Sequence, residues 1–178
     1  LSAGGEYINI TGLKITNKTG SQGINITTCK PGATKGVKIT KCEFEDINVN
    51  FTNTEHEACG VYLKAAGKEP AWFDGLVVED NKFEHVARCG VVFTTDWCSR
   101  SEKQEWGHKN DVSKGEYFGS KNVAIRGNTF NKTGGDVIFV TGLEGGVVIG
   151  NPVPEDCALN FGDMEKVTLE ALAAADAA

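Results

Sequence analysis

Five side chains stand out as able to do chemistry: Asp136, Asp96, Lys64, Arg100 and His108. Two carboxyls about 5–10 Å apart can hydrolyse a glycosidic bond. A base beside clustered positive groups can instead remove the proton α to a uronate carboxylate and stabilise the enolate that forms. Lys64, Arg88, Arg100 and His108 are the positive groups for that second reaction, and Lys109 is a further candidate contact to substrate. Trp97 and Trp106 have the flat apolar faces that stack on sugar rings, and Tyr62 adds a hydroxyl-bearing ring. Plainer readings stand beside each of these. Asp136, in the run GGDV, suits an Asx turn or a calcium ligand as well as an acid. Trp97 and Trp106 could pin a loop, Lys64 could be a solvated lysine, and His108 an ordinary loop histidine.

The elements that must hold these residues announce themselves by repetition. Residues 8–15 read INITGLKI, 37–44 VKITKCEF, 76–83 LVVEDNKF and 123–130 VAIRGNTF, with an imperfect fifth copy from Val147. Each phrase alternates with period 2, steps by three, then alternates again. That pattern means two short strands joined by a tight bend. A third strand follows each: GINI at 23–26, GVYL at 60–63, GVVF at 90–93 and DVIF at 136–139. Its expected inward residues are Ile24/Ile26, Val61/Leu63, Val91/Phe93 and Val137/Phe139. The outward columns are then Gly23, Gly60, Gly90, Asp136; Asn25, Tyr62, Val92, Ile138; and Thr27, Lys64, Thr94, Val140. Repetition at this scale is the mark of a solenoid.

With Asn81 and Asn128 at the bend and a glycine leading the third strand, residues 6–155 resemble the right-handed parallel β-helix proteins of the pectate-lyase-like superfamily. The resemblance implies an all-β solenoid of four to five coils, an asparagine ladder at the bend, and substrate bound along the third-strand sheet. Cys42 and Leu13 interrupt that ladder. The expected domain spans 1–160. A tail, 161–178, is expected to form a short helix capped by Asp163 and running through Met164, Val167, Leu169 and Leu172.

The chain has 178 residues, 40% hydrophobic and 24% charged, with a net charge of −6. That balance argues against general nucleic-acid binding, which needs clustered Lys and Arg. No apolar run is long enough for a membrane helix. The chain begins without Met and with few residues before its first strand, which reads as a processed chain or a fragment. Among six cysteines, Cys59 and Cys89 share a column, as stacked free thiols or a strained disulfide. Cys42 is expected buried and free, while the pairing of Cys29, Cys98 and Cys157 is open. No CxxC spacing suggests zinc. Asn9, Asn17, Asn25, Asn50 and Asn131 head N-x-T sequons. Equivalent positions stack Glu79 on Arg126, Glu43 on Lys82 and Glu45 on Glu84; the last, a like-charge pair, could take a cation.

Long loops after the third strands, above all 94–121, wall a groove along that sheet. In it Lys64, Asp96 and Arg100 are close in register, whereas Asp96 and Asp136 are about six strand positions apart. The expectation is a secreted, periplasmic or cell-surface protein that degrades a polysaccharide, as lyase or glycoside hydrolase, with calcium a candidate cofactor. The alternative is a glycan-binding or adhesion module without turnover.

Overall fold

The computed structural model describes residues 5–50, 57–97 and 118–173. Fifteen strands and no helix occur among them. The first repeat supplies β1 (Asn9–Thr11), β2 (Lys14–Asn17), β3 (Gln22–Thr28) and β4 (Gly32–Lys35). The second supplies β5 (Lys38–Thr40), β6 (Glu43–Ile47), β7 (Cys59–Ala65) and β8 (Ala71–Asp74). The third supplies β9 (Val77–Glu79), β10 (Lys82–Val86) and β11 (Cys89–Thr95). Then come β12 (Val123–Arg126), β13 (Thr129–Asn131), β14 (Asp136–Val153) and β15 (Ala158–Ala173).

Every pairing is parallel, and each strand pairs with its equivalent one repeat away. First strands line up as β1-β5-β9-β12-β14, second strands as β2-β6-β10-β13, and third strands as β3-β7-β11-β14. The long β14 joins the first and third sets into one curled sheet, and β15 lies along it. A fourth short side, not anticipated from the sequence, is made by β4 and β8 and continued by the bridges Asp74↔Lys121 and Ser120↔Leu143. The arrangement is all-β, built from parallel sheets with a curl, and compatible with a solenoid.

The tight bend is possible because its central residue adopts left-handed backbone angles: Gly12, Lys41, Asp80, Gly127 and Gly150 have φ of 66°, 53°, 55°, 63° and 61°. Glycine does so without strain, and short polar residues are better tolerated there than branched ones. The next residue faces inward and closes the bend. Asn128 Nδ2 donates to Val78 O at 3.0 Å, while its Oδ1 accepts from the backbone N of Asn81 at 3.1 Å. Asn151 does the same one repeat on, its Oδ1 accepting from Asn128 N at 3.1 Å. Cys42 stands where the ladder ends, its N–H satisfied by Asn81 Oδ1 at 3.0 Å.

The core is a set of columns. Phe44, Phe83 and Phe130 stack with centroids 4.8 and 5.2 Å apart and planes within 7° and 12°. The third-strand glycines are here because of this stack. A Cβ on Gly60 would lie 2.5 Å from the Phe83 ring, and one on Gly23 2.8 Å from Phe44. They therefore face the core and not, as expected, the solvent.

Three expectations are corrected by register. In the fourth repeat Val91 pairs with Ile138 and Phe93 with Val140, so Ile138 and Val140 point inward and Phe139 outward. Asp136 thus falls beside Cys89, while Val137 takes the glycine position. Val137 is buried there in the main core, against which Val153 also packs. The fifth copy begins at Gly146, which pairs with Val123, and not at Val147. Finally, the C-terminal segment is no helix: Ala158–Ala173 is a strand, Val167 pairing with Gly146 and Leu169 with Val148. The open edge of β14 demands hydrogen-bond partners, and that demand outweighs the local helical preference. β15 runs across residue 160, so residues 161–173 continue the same sheet.

Candidate functional site

The third-strand sheet carries the described candidates on its outer face. Thr27, Lys64 and Thr94 are in register across β3, β7 and β11, as are Asn25, Tyr62 and Val92. Asp96 follows β11, its backbone N donating to Ala65 O at 2.9 Å. That hydrogen bond brings its carboxylate diagonally across to Lys64, with Nζ and Oδ1 3.4 Å apart. The Lys64 side chain is 34% exposed and that of Asp96 11%. The lysine therefore reaches solvent while its counter-ion stays sheltered behind it. Asn25 is exposed and Thr27 half-buried beside them, and Thr27 Oγ1 donates to Asn25 Oδ1 at 3.1 Å.

Towards the start of β7 the face turns apolar. Cys59, Tyr62, Cys89, Val92 and Phe139 form one buried cluster outside the main core. The Tyr62 hydroxyl donates to Glu57 Oε1 at 3.2 Å. Burial pushes that hydroxyl up to about 12, so it remains a proton donor throughout the neutral range. Glu57 had no signal in the sequence, since it lies in an irregular loop.

At that same end Arg88 Nη2 lies 3.9 Å from Asp136 Oδ2. Asp136 is level with Cys89, and Asp96 lies seven residues further along, about 23 Å at 3.3 Å per residue. The two carboxylates are thus not a hydrolytic pair, which requires about 5–10 Å. Trp97 offers no open face either: it is 6% exposed and packs edge-on against Phe118, centroids 6.5 Å apart. Arg100, Trp106, His108 and Lys109 lie outside the described residues.

Calcium takes six to eight oxygen ligands. Among the described residues no group of three or more His, Cys, Asp or Glu converges, and Asp96 and Asp136 are each engaged by a cation. The described residues do not fit a calcium site. Glu45 and Glu84 are in register as expected. Their repulsion is relieved by neighbours: Lys14 lies 2.5 Å from Glu45, and Asn131 Nδ2 donates to both Glu84 oxygens at 3.0 and 2.8 Å. The expected Arg126–Glu79 pair forms at 2.6 Å.

The described cysteines are free. Cys59 and Cys89 are in register and buried, and burial raises both thiols, Cys89 to about 12. They are inert packing groups. No protein-family profile, curated protein or solved structure matches the chain.

Proposed function

We propose that the chain is a right-handed parallel β-helix of the pectate-lyase-like kind, secreted or displayed at the cell surface, that binds an acidic polysaccharide and cleaves it by elimination. The single observation behind this is Lys64, a half-exposed cation whose charge is held by the sheltered Asp96. Such a cation suits a uronate carboxylate. By drawing charge from that carboxylate it favours loss of the proton α to it. Lys64 in this reading is the electrophile, its Nζ reaching solvent on the outer face while Asp96 Oδ1 lies 3.4 Å behind it. Asp96 is a positioning residue. Arg100 and His108 remain the candidates for the base and for the cation on the leaving side. The distance between Asp96 and Asp136 counts against hydrolysis.

A second reading, binding without turnover, is favoured by one observation. The described ionisable candidates are matched in pairs, Lys64 with Asp96 and Arg88 with Asp136. Native gels cast with polygalacturonate or alginate test the common element of both readings. Wild type is expected to be retarded, K64Q about tenfold more weakly, equivalent to about 1.4 kcal/mol, and K64R to keep most of the effect. Equal retardation of wild type and K64Q would remove Lys64 from the site.

A further inference from the structure

The fourth side of the molecule carries a second candidate contact surface, independent of Lys64 and Asp96. On β8, Ala71 and Phe73 are buried in the core, so Trp72 and Asp74 point outward. Trp72 is half-buried, and Phe118 holds its ring in an offset stack, centroids 6.2 Å apart and planes within 17°. Phe118 is itself fixed by Trp97, whose backbone carbonyl accepts its N–H at 3.3 Å. The indole is thus held in place from one direction.

Its neighbours along the column are small. Ala33 pairs with Trp72 on β4. One repeat on, the bridge Asp74↔Lys121 puts Gly119 level with it. Neither has a side chain able to cover an indole. Two residues further along the same outward face runs a second column: Lys35, Asp74, Lys121 and Glu144. Its members alternate in charge and are partly compensated, Lys121 lying 3.4 Å from Glu144 and Asn122 Nδ2 donating to Asp74 Oδ1 at 2.7 Å. The two columns are about 7 Å apart, two residue rises along a strand.

We propose that this side binds a neutral, pyranose-based glycan, one sugar ring stacking on Trp72 and its hydroxyls meeting Asp74, Lys121 and Asn122. An aromatic plane complements the C–H face of a pyranose. A polar column holding donors and acceptors of both signs suits hydroxyl groups, which both give and accept hydrogen bonds. A single-sign column would have pointed to an ionic ligand instead.

Native gels cast with hydroxyethylcellulose, arabinoxylan or galactomannan test this. Wild type is expected to be retarded by at least one of the three. W72A should weaken that retardation about tenfold, and W72F less. A33Q leaves the indole in place but lays a side chain against it, and should also weaken binding. K64Q should bind the neutral polymer like wild type, while W72A should still be retarded by polygalacturonate. Failure here and failure of the acidic-glycan reading therefore give different patterns. Absence of retardation on all three neutral polymers would overturn the proposal, as would wild-type retardation of both W72A and A33Q. Circular dichroism of the variants checks that the fold persists.

Discussion

At the residue scale, the asparagine ladder shows how one side-chain type sets a backbone bend. Asn128 accepts from Asn81 N and Asn81 Nδ2 and donates to Val78 O, all without contact with solvent. Replacing it with Ala strands buried groups on both neighbours, and each costs about 1–3 kcal/mol. N128A is expected to lose about 2–4 kcal/mol in urea unfolding, against under about 0.5 kcal/mol for exposed Asn9→Ala. Asn81 and Asn128 were legible in the sequence as paired bend residues. Asn151 was not, because the fifth copy was aligned on Val147, although the dipeptide Gly150-Asn151 repeats Gly127-Asn128. Burial raises Tyr62 and Cys89 to about 12 and lifts Cys59 as well, so these groups stay neutral in the folded chain where the unfolded chain would ionise. Their contribution is complete below the ordinary thiol and phenol values and is lost as pH rises towards about 12. Urea midpoints should fall between about pH 9 and 12, and Y62F should flatten the upper part of that decline. An unchanged slope in Y62F would mean that Tyr62 is not desolvated as described.

At the scale of elements, the governing fact is complementarity between a glycine column and a phenylalanine column. G60A would push a methyl group into the Phe83 ring, and overpacking of this kind costs about 1–3 kcal/mol. The thermal midpoint of G60A should fall by several degrees, and F83L should return part of the loss in the double variant. Additive effects of the two substitutions would argue against direct contact. The same columns explain which registers could be read in advance. The eight-residue phrases were legible because both strands and the bend have fixed length. DVIF resembles GVVF in composition but lies one residue out of register with it. Counting from Phe83 and Phe130 instead places Asp136 level with Cys89, since no residue is inserted between them. In the C-terminal strand, Val167, Leu169 and Leu172 fit a helical face as well as a β repeat. Only the open edge of β14, a tertiary demand, separates the two.

At the scale of the whole molecule, the stack presents a different chemistry on each side. The second strands carry the Lys14–Glu45 pair, the first strands the Arg126–Glu79 pair, the third strands the Lys64–Asp96 pair, and the short fourth side the Trp72 column. Among the described residues, the large exposed apolar side chains are Tyr7 and Leu13 in the first repeat and Leu169 in the last strand. They lie in the first and last of the described repeats, where burial between neighbouring repeats is least. Lys64 and Asp96 were legible as near neighbours because register alone brings adjacent strands together. Trp72 carries no such signal, because β4 and β8 follow no part of the repeated phrase. The measurement that bears most directly on the account is incubation of wild type and K64Q with polygalacturonate and alginate, following unsaturated-uronate absorbance and new reducing ends together. Elimination by a site built on Lys64 requires both signals to rise in wild type and to fall at least about tenfold in K64Q, or about 1.4 kcal/mol. Reducing ends without the absorbance, or equal rates in the two proteins, would contradict it.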